Sequence, residues 1–156
     1  MALVWGMIFM GGMAIYGLWI DIKEAAVPRT ILNSKGGVEV PRSRNGHYHL
    51  TVEVNGVDIN FLVDTGATDL FLTQKDAERV GIDVKNLAYI ATAYTANGPI
   101  QIAYSKLKKV KLGEFVDLQV NASINGGEMQ QSLLGMSYLS RFDKIEISKN
   151  TLILYR

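Results

Sequence analysis

The sequence contains no cysteine, only two histidines and only three prolines among its 156 residues. The absence of cysteine excludes disulfide bonds, a zinc–thiolate site and a thiol nucleophile. Basic and acidic residues nearly balance, and the formal net charge of +1 argues against a general polyanion binder. The length fits one domain of ordinary size plus a small additional segment.

Charge is also absent from the first stretch of the chain. Residues 2–20 carry no charged side chain, and the first basic residue is Lys23. A helix of these nineteen residues would be about 28 Å long, enough to cross the hydrocarbon core of a bilayer. A cleaved signal peptide is the alternative, but such a peptide has a basic beginning and a shorter apolar core. We predict one uncleaved transmembrane helix, and the basic residues that follow it leave its orientation open.

The remaining residues divide into a polar segment and a β-rich segment. Residues 21–45 mix charge with Pro, Gly and Ser without a sustained period, which predicts a stalk or linker with a short strand near Gly37–Val40. Residues 46–156 show short alternating runs separated by turn signals such as Asn55-Gly56, which predicts an all-β barrel or sandwich. Thr73 as an N-cap and Gly81 as a terminating residue predict one short helix between them.

A small polar group interrupts the apolar stretch FLVDTGATDLFL, residues 61–72. Burying a lone carboxylate such as that of Asp64 is costly unless the carboxylate is paired or hydrogen-bonded. Thr65 offers a hydroxyl and Gly66 permits a tight turn, so the triplet is able to hold an aspartate at the bottom of a cleft. A simple Asx-turn between two strands is the alternative interpretation.

The context of this triplet resembles the active-site loop of the retropepsin-like aspartic proteases. In that family, as here, two apolar residues precede the motif, and they are Leu62-Val63 before Asp64-Thr65-Gly66. A second family motif is similar to Leu133-Leu134-Gly135, which leads into a short helical pattern. Between the two motifs the family carries a β-hairpin flap, and here a hairpin signal is centred on Asn97-Gly98. The resemblance covers roughly residues 45–156.

The resemblance implies a fold, a reaction and a homodimer. The implied fold is an all-β retropepsin-like acid protease barrel with one or two short helices, preceded here by the single transmembrane helix. The implied reaction is peptide hydrolysis by a water that is activated between two carboxylates sharing one proton. No other aspartate in the chain precedes Thr-Gly or Ser-Gly, so the second carboxylate is expected from Asp64 of another copy.

The residues implied by the family motifs fall into two groups. The catalytic group is Asp64, Thr65 and Gly66. The substrate-binding group is Ala67, Tyr94, Asn97, Gly98, Leu133, Leu134 and Gly135.

The implied partners are an extended polypeptide substrate, a second copy of the chain and a membrane, with no metal, cofactor or nucleic acid. An anchored domain of this kind is similar to bacterial membrane-anchored members, which places the domain on the periplasmic side of the inner membrane. His47 and His49 lie on one face of a predicted strand, but no third metal ligand is evident. Residues 106–111, KLKKVK, fit a lysine-rich edge strand better than a phosphate-binding site.

A non-catalytic protein is the alternative interpretation. A retropepsin-like barrel tethered to a membrane is able to serve as a dimerisation or peptide-binding module, because its cleft can hold an extended peptide by strand addition. The intact Asp64-Thr65-Gly66 triplet argues for catalysis, since a buried carboxylate pair is expensive to maintain without a function.

Overall fold

A computed structural model describes residues 31–32, 36–95 and 98–156 of the chain. The predicted transmembrane helix, residues 2–20, lies outside this described part, and so does Asn97. Among the described residues, no helix has the length and apolar character needed to cross a membrane.

The described part of the chain is built mainly from short β-strands, as the alternating pattern predicts. The strands are β1 (Ile31–Leu32), β2 (Val38–Pro41), β3 (His49–Val54), β4 (Val57–Val63), β5 (Leu70–Leu72), β6 (Ala91–Thr95), β7 (Gly98–Leu112), β8 (Phe115–Asn125), β9 (Ser132–Leu134), β10 (Lys144–Ser148) and β11 (Thr151–Tyr155). The helices are α1 (Gln74–Arg79), α2 (Met136–Leu139) and a single 3-10 turn (Val84–Asn86).

Two sheets organise these strands. The larger sheet has the order β3-β4-β9-β5-β8-β7-β6, and an additional pairing of β3 with β7 closes it into a barrel. The smaller sheet has the order β1-β2-β11-β10. Strand β9 pairs in parallel with β4 and antiparallel with β5, so it lies between the two strands that flank residues 64–69. The predicted all-β barrel with short helices is therefore confirmed.

Local turn chemistry sets most of the chain reversals. Asn55 and Gly56 have φ angles of 51° and 87°, which suit the tight hairpin between β3 and β4. The Thr73 side chain accepts a hydrogen bond from the Asp76 amide, so it caps α1 as predicted. Lys149 has a φ of 54° in the two-residue turn between β10 and β11. These reversals confirm the hairpins and the helix expected from the sequence.

Two segments differ from what the sequence pattern favours. Strand β2 confirms the short strand expected near Gly37–Val40, but Val38 and Val40 belong to the hydrophobic core, so the folded unit includes part of the predicted linker, residues 21–45. The lysine run of residues 106–111, predicted on an edge strand, differs only at its end. Val110 and Lys111 pair with β3 as well as with β8, whereas Lys106 and Leu107 pair with β8 alone in the described part of the chain. Long-range pairing, which the local pattern does not encode, decided both positions.

Candidate active site

Asp64 begins the loop that connects β4 to β5. Its backbone amide donates a hydrogen bond to the Leu134 carbonyl at 3.1 Å, which ties the start of the loop to β9. Its Oδ1 atom accepts from the Gly66 amide at 2.9 Å, and its carbonyl accepts from the Ala67 amide at 3.2 Å. The loop is therefore an Asx-turn, and this turn orients the carboxylate. The Asx-turn interpretation of the triplet is confirmed, and the catalytic role of Asp64 stays a prediction.

Gly135 brings helix α2 against this loop. A Cβ atom placed on Gly135 would lie 2.1 Å from the Asp69 carbonyl oxygen and 2.6 Å from the Ala67 carbonyl oxygen. The absence of a side chain therefore permits the approach. The Met136 amide then donates to the Ala67 carbonyl at 2.8 Å, and the Ser137 amide donates to the Thr68 carbonyl at 2.7 Å. These contacts give Gly135 a role in holding the loop.

Ser137 adds a side-chain contact to the same connection. Its hydroxyl accepts a hydrogen bond from the Leu70 amide at 3.0 Å, where the chain enters β5. The loop of residues 64–69 is thus held by β9 at its start and by α2 at its end. Ser137 is not among the residues predicted from the sequence. A polar residue two positions after the glycine of the second motif was the available signal.

The motif itself faces outward in a single chain. Asp64 is partly exposed, and Thr65 and Gly66 are exposed. The support for the loop comes from behind, through Leu134, Gly135 and the first turn of α2. An exposed but well-held carboxylate is what a site needs if another surface is to complete it.

The leucines of the two motifs separate into two environments. Leu62 pairs with Leu133 across β4 and β9, and Leu133 pairs with Phe71 across β9 and β5. Paired residues share a sheet face, so these apolar side chains lie in one row next to the loop. Leu134 points the other way and is fully buried in the core. The structure therefore brings Leu133, but not the Leu134 side chain, to the face beside Asp64.

The hairpin between the two motifs is formed by β6 and the start of β7. Thr95 pairs with Gly98, and Tyr94 pairs with Pro99, so the reversal falls one residue earlier than the Asn97-Gly98 centre predicted. Tyr94 is 87% exposed, and Ile90 just before the hairpin is 86% exposed. The hairpin therefore presents apolar surface to its surroundings. Contacts between these residues and a substrate stay a prediction.

His49 occupies the far end of the Leu62–Leu133 row, opposite Leu62 on β3. Its Nε2 lies 3.1 Å from Asn45 Nδ2, and its Nδ1 lies 2.8 Å from Gln131 Nε2. Burial and the neighbouring His47 lower the pKa of His49 from its ordinary value. Within the described residues, His49 and His47 are part of no group of three side chains suited to hold a metal.

Asp69 closes the loop on the side away from His49. Its Oδ2 accepts a hydrogen bond from the buried Ser123 hydroxyl at 2.7 Å. Beside it lies a cavity of about 550 Å³, which Tyr104 and Lys106 of β7, Ser123 of β8 and Ser137 help to line. Sequence reasoning did not assign Asp69 to a site, although it stands at the end of the polar interruption in residues 61–72.

Comparison with known proteins identifies the family. The family model described as "gag-polyprotein putative aspartyl protease" matches residues 50–141, which is more than half of the chain. The chain belongs to the retropepsin-like aspartic proteases. Its Asp64-Thr65-Gly66 loop, the strand β9 behind it and Gly135 all fall within the matched range.

Solved structures agree with this membership of the retropepsin-like family. A crystal structure of a retropepsin-like aspartic protease from Rickettsia conorii is 40% identical, with a TM-score of 0.70. The match covers 76% of this chain and 98% of that one. EIAV protease complexed with the inhibitor HBY-793 has a TM-score of 0.54 over 64% of this chain and 90% of that one. At 16% identity it supports the retropepsin fold alone.

Two curated bacterial proteins are also similar to this retropepsin-like chain. An uncharacterized protein from the cobV 5′ region of a Sinorhizobium species is 40% identical over 127 residues, which are 80% of this chain and 54% of that protein. The uncharacterized protein RP867 of Rickettsia prowazekii (strain Madrid E) is 42% identical over 120 residues, which are 76% of this chain and 51% of that protein. The chain spans about half the length of these curated relatives.

Proposed function

We propose that this chain is an aspartic endopeptidase that acts as a homodimer on extended polypeptides. The observation that carries the proposal is the loop of residues 64–66, which is held from behind by β9 while its motif residues stay accessible. This is the arrangement expected of half a shared-proton site. The family membership of the chain supports the same reaction.

The proposed mechanism uses two Asp64 carboxylates about 3 Å apart, one from each copy. At this distance both carboxylates cannot ionise, so they share one proton. The ionised carboxylate accepts a proton from a water molecule, and the water attacks the peptide carbonyl carbon. The protonated carboxyl group gives its proton to the carbonyl oxygen as the tetrahedral intermediate forms. When this intermediate collapses, the C–N bond breaks, the carboxyl group that took the water proton gives it to the leaving amine, and the other carboxylate takes back the proton of the hydroxyl that becomes the new carbonyl. The hydrogen bond from the Gly66 amide to Asp64 Oδ1 helps to fix the orientation of each carboxylate.

A second copy is required because one chain offers one motif. The described residues place no other carboxylate in an equivalent loop, and Asp69 is turned toward Ser123. A two-fold axis puts the same residue on both of its sides, which brings two Asp64 side chains together. Thr65 and Gly66, both exposed in one chain, would then lie at or near the contact between the copies.

The substrate is proposed to be a polypeptide in an extended conformation. Leu62 and Leu133, with Phe71 behind them, form an apolar row beside the loop. We expect cleavage to favour apolar side chains next to the scissile bond, because such side chains bury surface against this row. The hairpin with Tyr94 and Gly98 would cover the bound peptide.

We also propose that residues 2–20 anchor the chain in a bacterial inner membrane with the protease domain in the periplasm. The uncharged run and its length support this location. Anchoring would raise the effective concentration of one copy for another and so favour the dimer. The membrane anchor is tested by asking whether the full chain stays in membranes that are washed with alkali. The periplasmic location is tested by asking whether protease added to spheroplasts digests the domain.

The deciding experiment compares the full chain with its Asp64→Asn variant. Each is incubated with a diverse peptide mixture from about pH 3 to about pH 7, the range where a coupled carboxylate pair holds one proton, and products are identified by mass spectrometry. We expect cleavage by the wild type alone. Asp58→Asn, on the exposed side of β4, is the matched control and should keep activity.

Two results would contradict the proposal. Cleavage by Asp64→Asn at the wild-type rate would show that the Asp64 carboxylate is not needed for catalysis. No cleavage by a wild-type protein that sediments as a dimer would favour the non-catalytic peptide-binding module instead.

A further inference from the structure

The hairpin of β7 and β8 concentrates positive charge. Four lysines occur within residues 106–111, although the net charge of the whole chain is only +1. The acidic residues of the hairpin region, residues 104–121, are Glu114 in the turn and Asp117 on β8. Asp117 is buried and paired with Arg141 and Arg156, so it does not offset the lysines. The outer surface of this hairpin is therefore basic.

Strand pairing places apolar side chains among these lysines. Lys109 pairs with Leu118 and Lys111 pairs with Val116, and residues paired in this way share a sheet face. Val110, between the two lysines, is fully buried in the core, so the four paired side chains point away from it. Leu118 is 67% exposed and Val116 is 49% exposed.

The same outer surface continues toward the start of β7. Lys106 precedes the buried Leu107 and lies two residues from Tyr104, so both of these side chains point away from the core. Tyr104 is 68% exposed. We call this surface the basic–apolar face, and its residues are Tyr104, Lys106, Lys109, Lys111, Val116 and Leu118.

Protection of a strand edge explains only part of this pattern. Lysines on an edge strand hinder pairing with another chain, and this role requires charge alone. It gives no reason for Val116 and Leu118 to stand exposed between the lysines. Of the lysines on this face, Lys109 alone forms an ion pair with a described carboxylate, that of Glu53 at 3.7 Å. The remaining positive charge is open to an external partner.

A membrane surface fits the two kinds of side chain together. Lysine ammonium groups are attracted to anionic lipid headgroups, and their long apolar stems lie along the interface. Aliphatic side chains such as Leu118 gain by entering the boundary between headgroups and acyl chains. A nucleic acid would use the lysines, but it binds its bases by stacking on aromatic rings, and Tyr104 is the single aromatic residue of the face.

We propose that the basic–apolar face docks the domain on an anionic membrane surface, with its lysines against lipid phosphates and its apolar side chains among the headgroups. The proposal rests on the proposed membrane anchor only for proximity. The ten residues 21–30, between the predicted anchor and β1, reach at most about 35 Å even when fully extended, so an anchored domain stays close to the bilayer. Docking would then orient the cleft relative to the membrane.

A fluorescent label on the face provides the first test, since the chain has no native cysteine. The full chain is prepared as Leu118→Cys and, for comparison, as Ile147→Cys on β10, where the native side chain is 61% exposed. Each variant is labelled with a maleimide dye whose emission shifts to the blue in an apolar environment. Each is then reconstituted into vesicles of phosphatidylcholine, with or without phosphatidylglycerol.

We expect phosphatidylglycerol to shift the emission at Leu118→Cys to the blue and to leave Ile147→Cys unchanged. High salt should reverse the shift, because it screens the attraction between lysines and headgroups. Equal emission from Leu118→Cys in the two kinds of vesicle, or equal shifts at both positions, would overturn the proposal.

Removal of two charges provides the second test. Lys106→Gln combined with Lys111→Gln should lower the ratio of docked to free domain by about twentyfold, since each lysine near an anionic surface contributes about fivefold. Lys75→Gln combined with Lys85→Gln is the matched control, because it removes the same charge from exposed positions on α1 and the 3-10 turn. An emission shift that survives the first pair of substitutions would refute the role of the face.

Two further measurements separate this proposal from its neighbours. If a single-stranded oligonucleotide shifted Leu118→Cys in phosphatidylcholine vesicles as far as phosphatidylglycerol does, the face would be a general polyanion site and the membrane assignment would be wrong. If alkali removed the chain from vesicles in which the label had shifted, docking would stand and the proposed anchor would fail.

Discussion

At Gly135 a hydrogen atom in place of a side chain lets helix α2 approach the loop that carries Asp64. The φ angle there is −89°, which any residue adopts, so the requirement concerns space and not backbone conformation. The two nearest atoms are backbone carbonyl oxygens, which cannot turn aside as a flexible side chain does. Gly135 therefore connects the packing of the Leu133-Leu134-Gly135 motif to the conformation of the Asp64-Thr65-Gly66 loop.

We predict that Gly135→Ala lowers the free energy of unfolding by about 3 kcal/mol or more, because the added methyl group overlaps the Asp69 and Ala67 carbonyls. Urea denaturation of the full chain measures this change. Gly127→Ala is the matched control, since the nearest atom to its Cβ would be 3.5 Å away. If Gly135→Ala were as stable as Gly127→Ala, the loop of residues 64–69 would be able to move away from the added methyl group at little cost, and the prediction would be wrong.

Asp117 is the most heavily paired carboxylate in the described part of the chain. Arg156 donates to both of its oxygens at 2.9 and 2.7 Å, and Arg141 donates to Oδ1 at 3.1 Å. The hydrogen bonds and charge of Arg156, with the charge of Arg141, hold its pKa below the usual range despite burial. These bonds fasten the end of the chain to β8 and to the residues after α2.

The lowered pKa predicts a specific pH dependence of stability. A carboxyl group with a depressed folded-state pKa stabilises the protein above its unfolded-state pKa, and this contribution disappears as pH falls through the folded-state value. We expect Asp117→Asn to cost about 2 kcal/mol at pH 7, because it removes the charged acceptor of hydrogen bonds from two arginines that are themselves partly exposed. The difference from the wild type should shrink below about pH 4. Thermal unfolding between neutral and acid pH measures it, and a constant difference would contradict this assignment.

Helix α2 is a single turn, so its attachment depends on a few hydrogen bonds and not on its own stability. The Ser137 hydroxyl supplies one of these bonds, to the amide that begins β5. Tyr138 and Leu139, both fully buried, supply the apolar part of the attachment. Helix α2 therefore connects the Asp64 loop to the hydrophobic core.

We predict that Ser137→Ala lowers the free energy of unfolding by about 1 kcal/mol, since the Leu70 amide loses its acceptor. Cleavage by the variant should fall as well, because the loop is held less tightly. Ser140→Ala, at the exposed end of α2, is the control and should change neither quantity. Loss of activity in both variants would mean that the helix tolerates no change and that Ser137 has no particular role.

At the scale of the whole molecule, the proposed mechanism requires two copies of the chain. The exposed Thr65 and Gly66 of one chain are consistent with surfaces that become covered in an assembly. The folded unit has a complete core of its own, with buried residues from β2 to β11. Assembly is therefore expected to control activity without being needed for folding.

Mixing wild type with Asp64→Asn tests this dependence directly. If both carboxylates of a dimer are needed and the chains reassociate at random, an equal mixture should cleave at about a quarter of the rate of the same total amount of wild type. Peptide cleavage after a dissociation and reassociation step measures the ratio. A mixture with half the rate would show that each chain acts alone.

The sequence by itself determined the features that depend on near neighbours. Alternation along residues 48–54 and 57–63 specified two strands, Asn55-Gly56 specified their turn, and Thr73 specified the start of α1. The Asp64-Thr65-Gly66 triplet and the Leu133-Leu134-Gly135 motif were also readable, because their chemistry lies in consecutive residues. These signals reach only a few positions along the chain, which is the range over which turns, caps and strand periods act.

Only the tertiary structure decided which distant residues meet. The placement of β9 between β4 and β5 explains why Leu133 faces the row beside the loop while Leu134 enters the core. The pairing of β2 with β11 places part of the predicted linker in the folded domain, and β10 lies at one edge of the smaller sheet as the described residues form it. The Leu70–Ser137 bond joins residues that are 67 positions apart. Such pairings minimise the apolar surface left exposed and the backbone groups left unpaired over the whole chain, and no local pattern encodes that balance.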